Sequence, residues 1–320
     1  MFAQRATLFA FTATVLLVGC ARDDRQTTGD TAAGEAAPAE FSRAATVEGG
    51  FKTPEAVRFD AADDVFFVSN INGVPSAKDN NGFITRVRAE GGEIDSLTFI
   101  AGGRGGVTLN APKGLAITGD TLWVADIDAV RAFDKRTGRP IAAHVIQGAV
   151  FLNDIAIGPD GALYITDTGI RITDSGMSHP GPDRVFKLTR NGQASTALQL
   201  DSAAGPNGIT WDDGNQRFII VMFASNAIVG WKPGDTTTTG IATGKGMFDG
   251  VERLTDGRIL VSTWADSSIY VLDGSALVRA VGGVQSPADI GVDTKRNRVV
   301  APIFEGNRLE IFAIPPKDGM

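Results

Sequence analysis

"PNGITWDDGNQRFIIVM" (residues 206–222) is two apolar runs joined by a polar turn, entered through Asn207-Gly208. Forty-two residues further on, "FDGVERLTDGRILVSTW" (248–264) has the same form, entered through Asp249-Gly250. Asn-Gly is ordinarily a turn signal. A polar residue that recurs at one structural position is also a candidate site, and the two readings differ on whether the side chains converge.

Four more segments align with these two: "TPEAVRFD" (from Thr53), "APKGLAIT" (from Ala111), "FLNDIAIG" (from Phe151) and "SPADIGVD" (from Ser286). Each is followed by a turn and a second apolar run, such as "DVFFVSN" or "ALYITD", and then a third, such as "RVFKLT" or "SSIYVL". Val, Ile, Leu and Phe at strand-like spacing, bounded by Gly, Asp and Asn, read as β-strands. Pro54 and Pro287 lie five intervals apart, which makes each repeat about 47 residues, the size of a propeller blade. A weaker fourth strand is visible in "LTFIAG", "AHVIQG" and "LVRAVGG". The last repeat runs out at "NRLEIFAIPPKDGM" without one, and "RAATVEG" (43–49) can supply it and so remove an open edge. The expected fold is an all-β, six-bladed β-propeller over residues 43–320, its N-terminal strand closing the last blade. A seventh blade would require a repeat hidden in the longer third unit.

Composition agrees: 43% hydrophobic and 21% charged residues describe a globular chain, and 39 glycines with 14 prolines describe a turn-rich one. A net charge of −7 without a long basic cluster argues against a nucleic-acid partner. Residues 1–19 read as a secretory signal, with Arg5 before an apolar run too short to span a bilayer. "LVGC" resembles a bacterial lipobox, which makes Cys20 the expected lipidation site and the bilayer a partner through its acyl anchor. The expected location is the bacterial envelope, facing the periplasm. Cys20 is the single cysteine, so a lipidated chain has no thiol left for disulfides, nucleophilic catalysis or thiolate metal sites. Residues 20–42 are small, polar and acidic and read as a flexible linker.

Stacking the six segments places Glu55, Lys113, Asn153, Asn207, Asp249 and Ala288 in one column. The first strand of each propeller blade lines the central axis, so this column is a ring around it. Two carboxylates and two amides crowded there lose hydration and repel unless something positive joins them. A divalent cation meets that need. Oxygen donors favour calcium, with magnesium, manganese or zinc as other candidates. Four protein ligands leave coordination places for water and a small-molecule substrate. The alternative is four ordinary polar residues at strand starts.

At these residues the chain resembles the gluconolactonase/regucalcin-like family. The motifs are "TPEAV" carrying Glu55, "LNDIAIGPDGALYITDT" carrying Asn153, "PNGITWD" carrying Asn207 and "FDGVERLTDGRILVSTWADSSIYVL" carrying Asp249. The resemblance implies calcium in the axial tunnel of a six-bladed propeller, held by those four residues, and hydrolysis of lactones, esters or phosphotriesters at it. It makes Asp249 a ligand and also general base or nucleophile. Trp264 and Asp266 look like the family's tunnel-rim residues, with Trp264 either facing the substrate or serving as core packing. Lys113 departs from the family's pattern, and either plugs the tunnel against Glu55 or Asp289 or stabilises charge developing on a substrate oxygen. His179, in the insert "GIRITDSGMSHPGPDR", could reach over the mouth to the substrate, or be a solvated loop residue; Asp289 could bind substrate or be a turn acid. Asp126 and Asp167 read as strand terminators. Specificity is expected from loops 71–82, 102–110 and 168–183.

The expected function is therefore a lipid-anchored, metal-dependent hydrolase. The alternative is a non-enzymatic binding propeller, with a structural metal or a Lys113 plug. The sequence identifies neither the substrate nor an oligomeric state.

Overall fold

The computed structural model describes residues 40–200 and 204–317. Their strands form six four-stranded antiparallel sheets and one two-stranded hairpin. Blade one is Pro54–Asp60, Val65–Asn70, Phe83–Arg88 and Ile94–Ala101, laid side by side in chain order. Blades two to five repeat this order, with inner strands Pro112–Thr118, Leu152–Ile157, Pro206–Asp212 and Phe248–Arg253. The third unit is longer because the hairpin Arg171–Thr173/Gly176–Ser178 is inserted between its second and third strands. No seventh blade is hidden there.

The second strands are buried on both faces, which is why they read as unbroken apolar runs rather than alternating ones. Each blade shares its core with the next. Phe67, Ile84 and Ile100 of blade one, for example, pack with Leu115, Leu122, Val124 and Phe133 of blade two. Six such inter-blade cores exist among the described residues, one for every neighbouring pair including six and one. The ring is therefore closed by hydrophobic packing as well as by strand pairing.

The closing strand is Ser42–Val47, antiparallel to Arg308–Ala313. Val47 enters the core between blades six and one. Phe41 enters the core between blades five and six, its amide donating to Ala280 O at 2.9 Å. Arg43 adds a 2.8 Å ion pair to buried Glu310. The signal segment 1–19, Cys20 and nearly all of the linker 20–42 lie outside the described residues.

A chain starting at Glu40 is predicted to melt with the full-length protein. A chain starting at Phe51 loses two buried apolar anchors and bares the Arg308–Ala313 edge, so it should melt at least about 10 °C lower or aggregate. Coincident melting curves for the two would refute closure by this strand.

Candidate functional site at the propeller axis

The ring residues sit in a defect repeated around the axis. In blade one the register between the inner and second strands jumps between Pro54 and Val57, so Glu55 and Ala56 together face the single residue Ser69. The same slip brackets Lys113-Gly114, Asn153-Asp154, Asn207-Gly208 and Asp249-Gly250. A bulge re-aims the side chain it carries. Ala56, Asp154 and Gly250 satisfy their displaced amides on the hydroxyls of Ser69, Thr166 and Ser262, at 2.8 to 3.0 Å. The glycines are required by crowding, not by a turn. A Cβ on Gly250 would stand 2.5 Å from Ile290 N of the next blade, and one on Gly208 2.5 Å from Asp249 O. Asn-Gly and Asp-Gly here are strand interior, the polar residue turned inward and the glycine admitting the neighbouring backbone.

Glu55, Asn153, Asn207 and Asp249 are all buried, at 4 to 6% exposure. Glu55 Oε2, Asn207 Oδ1 and Asp249 Oδ1 accept no hydrogen bond. The Asn153 amide donates through Nδ2 to Thr168 Oγ1 at 3.1 Å, so its carbonyl oxygen is the end left for a ligand. Burial first, and then the charge of Asp249, holds the Glu55 carboxyl well above the usual range. Burial likewise pushes Asp249 up to about 8, a rise that the Trp264 indole opposes. That indole N–H faces Asp249 without a hydrogen bond of normal geometry. Among the described residues no group of three or more His, Cys, Asp and Glu gathers as a metal site. The donor set is two carboxylates and two amides, which suits a hard cation and disfavours zinc.

Lys113 belongs to the ring by position, but its ammonium is engaged elsewhere. It donates to Ala111 O at 2.9 Å and Pro75 O at 3.1 Å and lies 4.2 Å from the centre of the Phe151 ring. It pairs with neither Glu55 nor Asp289 within 4 Å, although its charge partly offsets the rise of Glu55. Burial lowers its pKa to about 8, against the pull of Glu55 and Asp126. Its carbonyl bond fastens loop 71–82, which Ser76 also ties to the blade-three hairpin by accepting the Ile172 amide at 2.9 Å.

One position along each bulge lies a second layer that sequence reading missed. Asp154 and Asp289 are buried, and the Arg58 guanidinium reaches both, at 3.6 and 3.5 Å. Arg58 also pairs with Glu252 and donates to Leu115 O at 2.8 Å. Burial raises both acids, Asp289 well above the usual range, and Arg58 opposes this. Asp289 therefore belongs to the buried axis, neither a turn acid nor on the ring itself. Beyond Arg58 the axis opens into a cavity of about 470 Å³ lined by inner-strand residues of five blades, including Leu115, Ile155, Ile209 and Glu252. A larger cavity, about 610 Å³, lies on the outer side of blades one and two among charges that pair with each other, away from this chemistry. The column three residues past the ring, which contains Arg58 and Glu252, was the available sequence signal.

Around the ring stands a collar, one residue past each second strand: Ile71, Ile127, Thr168, Phe223, Trp264 and Phe304. Five of their amides donate to the carbonyl two residues before the ring position, as Trp264 does to Met247 at 3.0 Å. Thr53, Met247 and Ser286 accept these bonds in left-handed backbone, at φ 51°, 49° and 46°. That geometry is costly for residues other than glycine, most of all for β-branched Thr53, and the bond helps to hold it. Asp126 and Asp167 are terminators with a task. Asp126 accepts the amides of Asn110 and Ala111, and Asp167 those of Val150 and Phe151, fastening the approach to the next ring residue. His179 is engaged by buried Asp183 at 2.6 Å, at the base of the insert. Asp266 accepts from Tyr270 OH at 2.5 Å.

Removing Arg58 strands two buried carboxylates. Arg58→Met is predicted to destabilise the protein by about 3 kcal/mol or more, and Asp154→Asn with Asp289→Asn to restore most of it. Urea unfolding of the three proteins checks this; a stability unchanged by Arg58→Met would refute the pairing.

Solved structures share the architecture. A gluconolactonase from Xanthomonas campestris superposes with a TM-score of 0.64 at 17% identity, over 88% of this chain and 98% of that one. A putative gluconolactonase gives 0.63 at 16%, over 86% and 94%. A catalytically inactive virginiamycin B lyase from Staphylococcus aureus, solved with quinupristin, gives 0.57 at 14%, over 86% and 100%. At such identities these likenesses establish the fold alone. No curated protein matches significantly. Residues 53–289, about three quarters of the chain and every ring position, match the SMP-30/gluconolactonase/LRE-like region, and the chain belongs to that family.

Proposed function

We propose that the protein is a metal-dependent hydrolase of lactones, or of related esters and phosphotriesters, in which Glu55, Asn153, Asn207 and Asp249 hold one divalent cation, most suitably calcium. The observation that carries this is the set of buried, unpartnered oxygens on Glu55, Asn207 and Asp249. A buried acceptor without a donor costs about 1 to 3 kcal/mol, and a charged one more. Four axial carboxylates face two cations, Lys113 and Arg58, and Arg58 serves the other layer. Family membership points to the same chemistry.

A cation bound there would polarise a carbonyl or phosphoryl oxygen of the substrate. Asp249 supplies the remaining function. As general base it takes a proton from the water that adds to the acyl carbon; the carbon–oxygen bond then breaks and the alcohol oxygen leaves with a proton. As nucleophile its carboxylate oxygen bonds the acyl carbon while the ester carbon–oxygen bond breaks and the alcohol oxygen leaves with a proton from water, and water then hydrolyses the acyl–carboxylate bond. Both routes convert ester and water to acid and alcohol. Trp264 adds an unpartnered N–H beside Asp249. Lys113 contributes positive charge near Glu55 and holds loop 71–82 in place. The chain is further proposed to reach the periplasmic face of a bacterial membrane through acylated Cys20.

A lactone, aryl ester and phosphotriester panel, run with calcium and with chelator, tests the activity. Calcium-dependent turnover is expected, reduced about 10³-fold or more in Asp249→Asn. Calcium-dependent melting with no turnover anywhere would identify a binding propeller with a structural metal instead.

Stability should depend on pH in a direction that metal reverses. In the metal-free protein, Asp249 keeps its proton up to about pH 8, whereas the unfolded chain releases it near the ordinary carboxylate value. Between those limits the native state binds more protons, so stability falls as pH rises. Saturating calcium is predicted to flatten or invert this slope in melting curves taken from pH 4 to 8. The same slope with and without calcium would sink the metal assignment.

Cys20→Ser is predicted to release the protein from the membrane fraction or to block its processing. A processed, membrane-bound Cys20→Ser protein would refute the anchor.

A further inference from the structure

On the function proposed above the ring takes the polar end of a ligand, and the collar beside it has the opposite character. Ile71 and Ile127 form a small buried apolar cluster with Ala111, and Phe304 packs against it. Trp264 joins Phe304, with ring centres 5.1 Å apart, to Phe223, edge-on at 5.6 Å. These three aromatics are only half-buried and stand one residue past their second strands, beside the ring approach, whereas Phe66, Phe67 and Phe218 inside the blades are sealed.

Polar side chains beside the collar are already committed. The Thr168 hydroxyl donates to Pro206 O at 2.8 Å and accepts the Asn153 amide. Ser76 accepts the Ile172 amide, and Asn70 accepts the Lys52 amide while donating to Val68 and Thr85. Two polar atoms are exceptions: the Trp264 N–H, which faces Asp249 and thus the polar head of a ligand, and Asp266 Oδ1, whose carboxylate already accepts the Tyr270 hydroxyl through its other oxygen. A polyol bound here would bury several hydroxyls without partners, each costing about tenfold in affinity.

We infer that the ligand of this centre carries an apolar group, an alkyl chain or an aryl ring, directly beside its lactone, ester or phosphoryl head, and is not a polyhydroxylated sugar lactone. The inference rests on the ring being the place that takes the polar head. It does not require the head to be hydrolysed.

Hydrolysis-resistant δ-lactams separate the two questions. Calorimetry with calcium-loaded protein compares a butyl-substituted lactam with a polyhydroxylated one. Each buried methylene is worth about fourfold, so the butyl lactam should bind at least about tenfold tighter. Phe304→Ala and, separately, Phe223→Ala should erase most of that preference, while melting temperature and calcium affinity stay close to wild type and show that fold and ring survive. The milder Phe304→Leu should keep the preference. Equal binding, tighter binding of the polyol, or no binding of either lactam overturns the inference, whatever the turnover panel shows. A retained butyl preference in a protein that hydrolyses nothing overturns the hydrolase reading and leaves the ligand class standing.

Discussion

Six inner strands converging on one axis cannot avoid one another, and whatever they turn inward must be made compatible there. Most of the site's details follow from that crowding. The bulges turn a pair of residues toward the axis. Glycine at 208 and 250 lets the adjoining backbone approach to a distance no Cβ tolerates. The inter-blade cores hold the strands in this arrangement, so buried charge is tolerated because hydrophobic packing over the whole ring sustains it.

The axis resolves its surplus of carboxylates in two ways. In the layer of Asp154 and Asp289, Arg58 supplies the positive charge from within the chain. A guanidinium suits this task, being always charged and able to address several oxygens from one plane. In the ring layer no side chain does the same. Lys113 has the right charge and position, yet it spends its ammonium on two carbonyls and an aromatic face. Without a bound cation, that layer is left with protonation to relieve it, as the raised values of Glu55 and Asp249 record. One layer carries its counter-charge within the chain, and the other leaves buried oxygens of Glu55, Asn207 and Asp249 without a partner.

Much of this was legible in the sequence because repetition turns a one-dimensional pattern into a ring. The six blades, the closing strand at 43–49 and the column containing Glu55, Asn153, Asn207 and Asp249 follow from aligning six segments. What aligned poorly was what breaks period two. A bulge adds a residue that no alternation pattern predicts, so nothing in the strand pattern marked Asp154 as part of a second layer. Arg58 belongs to another column of the same alignment, where it stands among small residues and Glu252. Apart from Trp264, the collar was hidden because its members lie one residue past the second strands, where no repeat pattern singles them out. His179 could not be placed because an insert is fixed by sequence only at its two ends; the structure pairs it with Asp183, four residues on.

The two layers are also joined through the backbone, so the posture of the ring depends on the pairing beneath it. Asp154 follows Asn153 directly, and its Oδ2 accepts the Ile209 amide at 2.9 Å, two residues past Asn207. The Asp289 amide donates to Glu55 O at 2.9 Å, and Asp289 O accepts the Val57 amide at 3.3 Å, which fastens the last blade to the first beside the ring. Arg58, by holding both acids, steadies the main chain behind three of the four oxygen donors. Asp249 lies outside this bonding and stands instead beside Trp264, in the blade whose ring approach passes through left-handed Met247. The residue assigned the chemistry is thus the one no main-chain bond ties to the lower layer, but charge still joins them: Asp154 helps to raise Asp249, and Asp249 helps to raise Asp289 and Glu55.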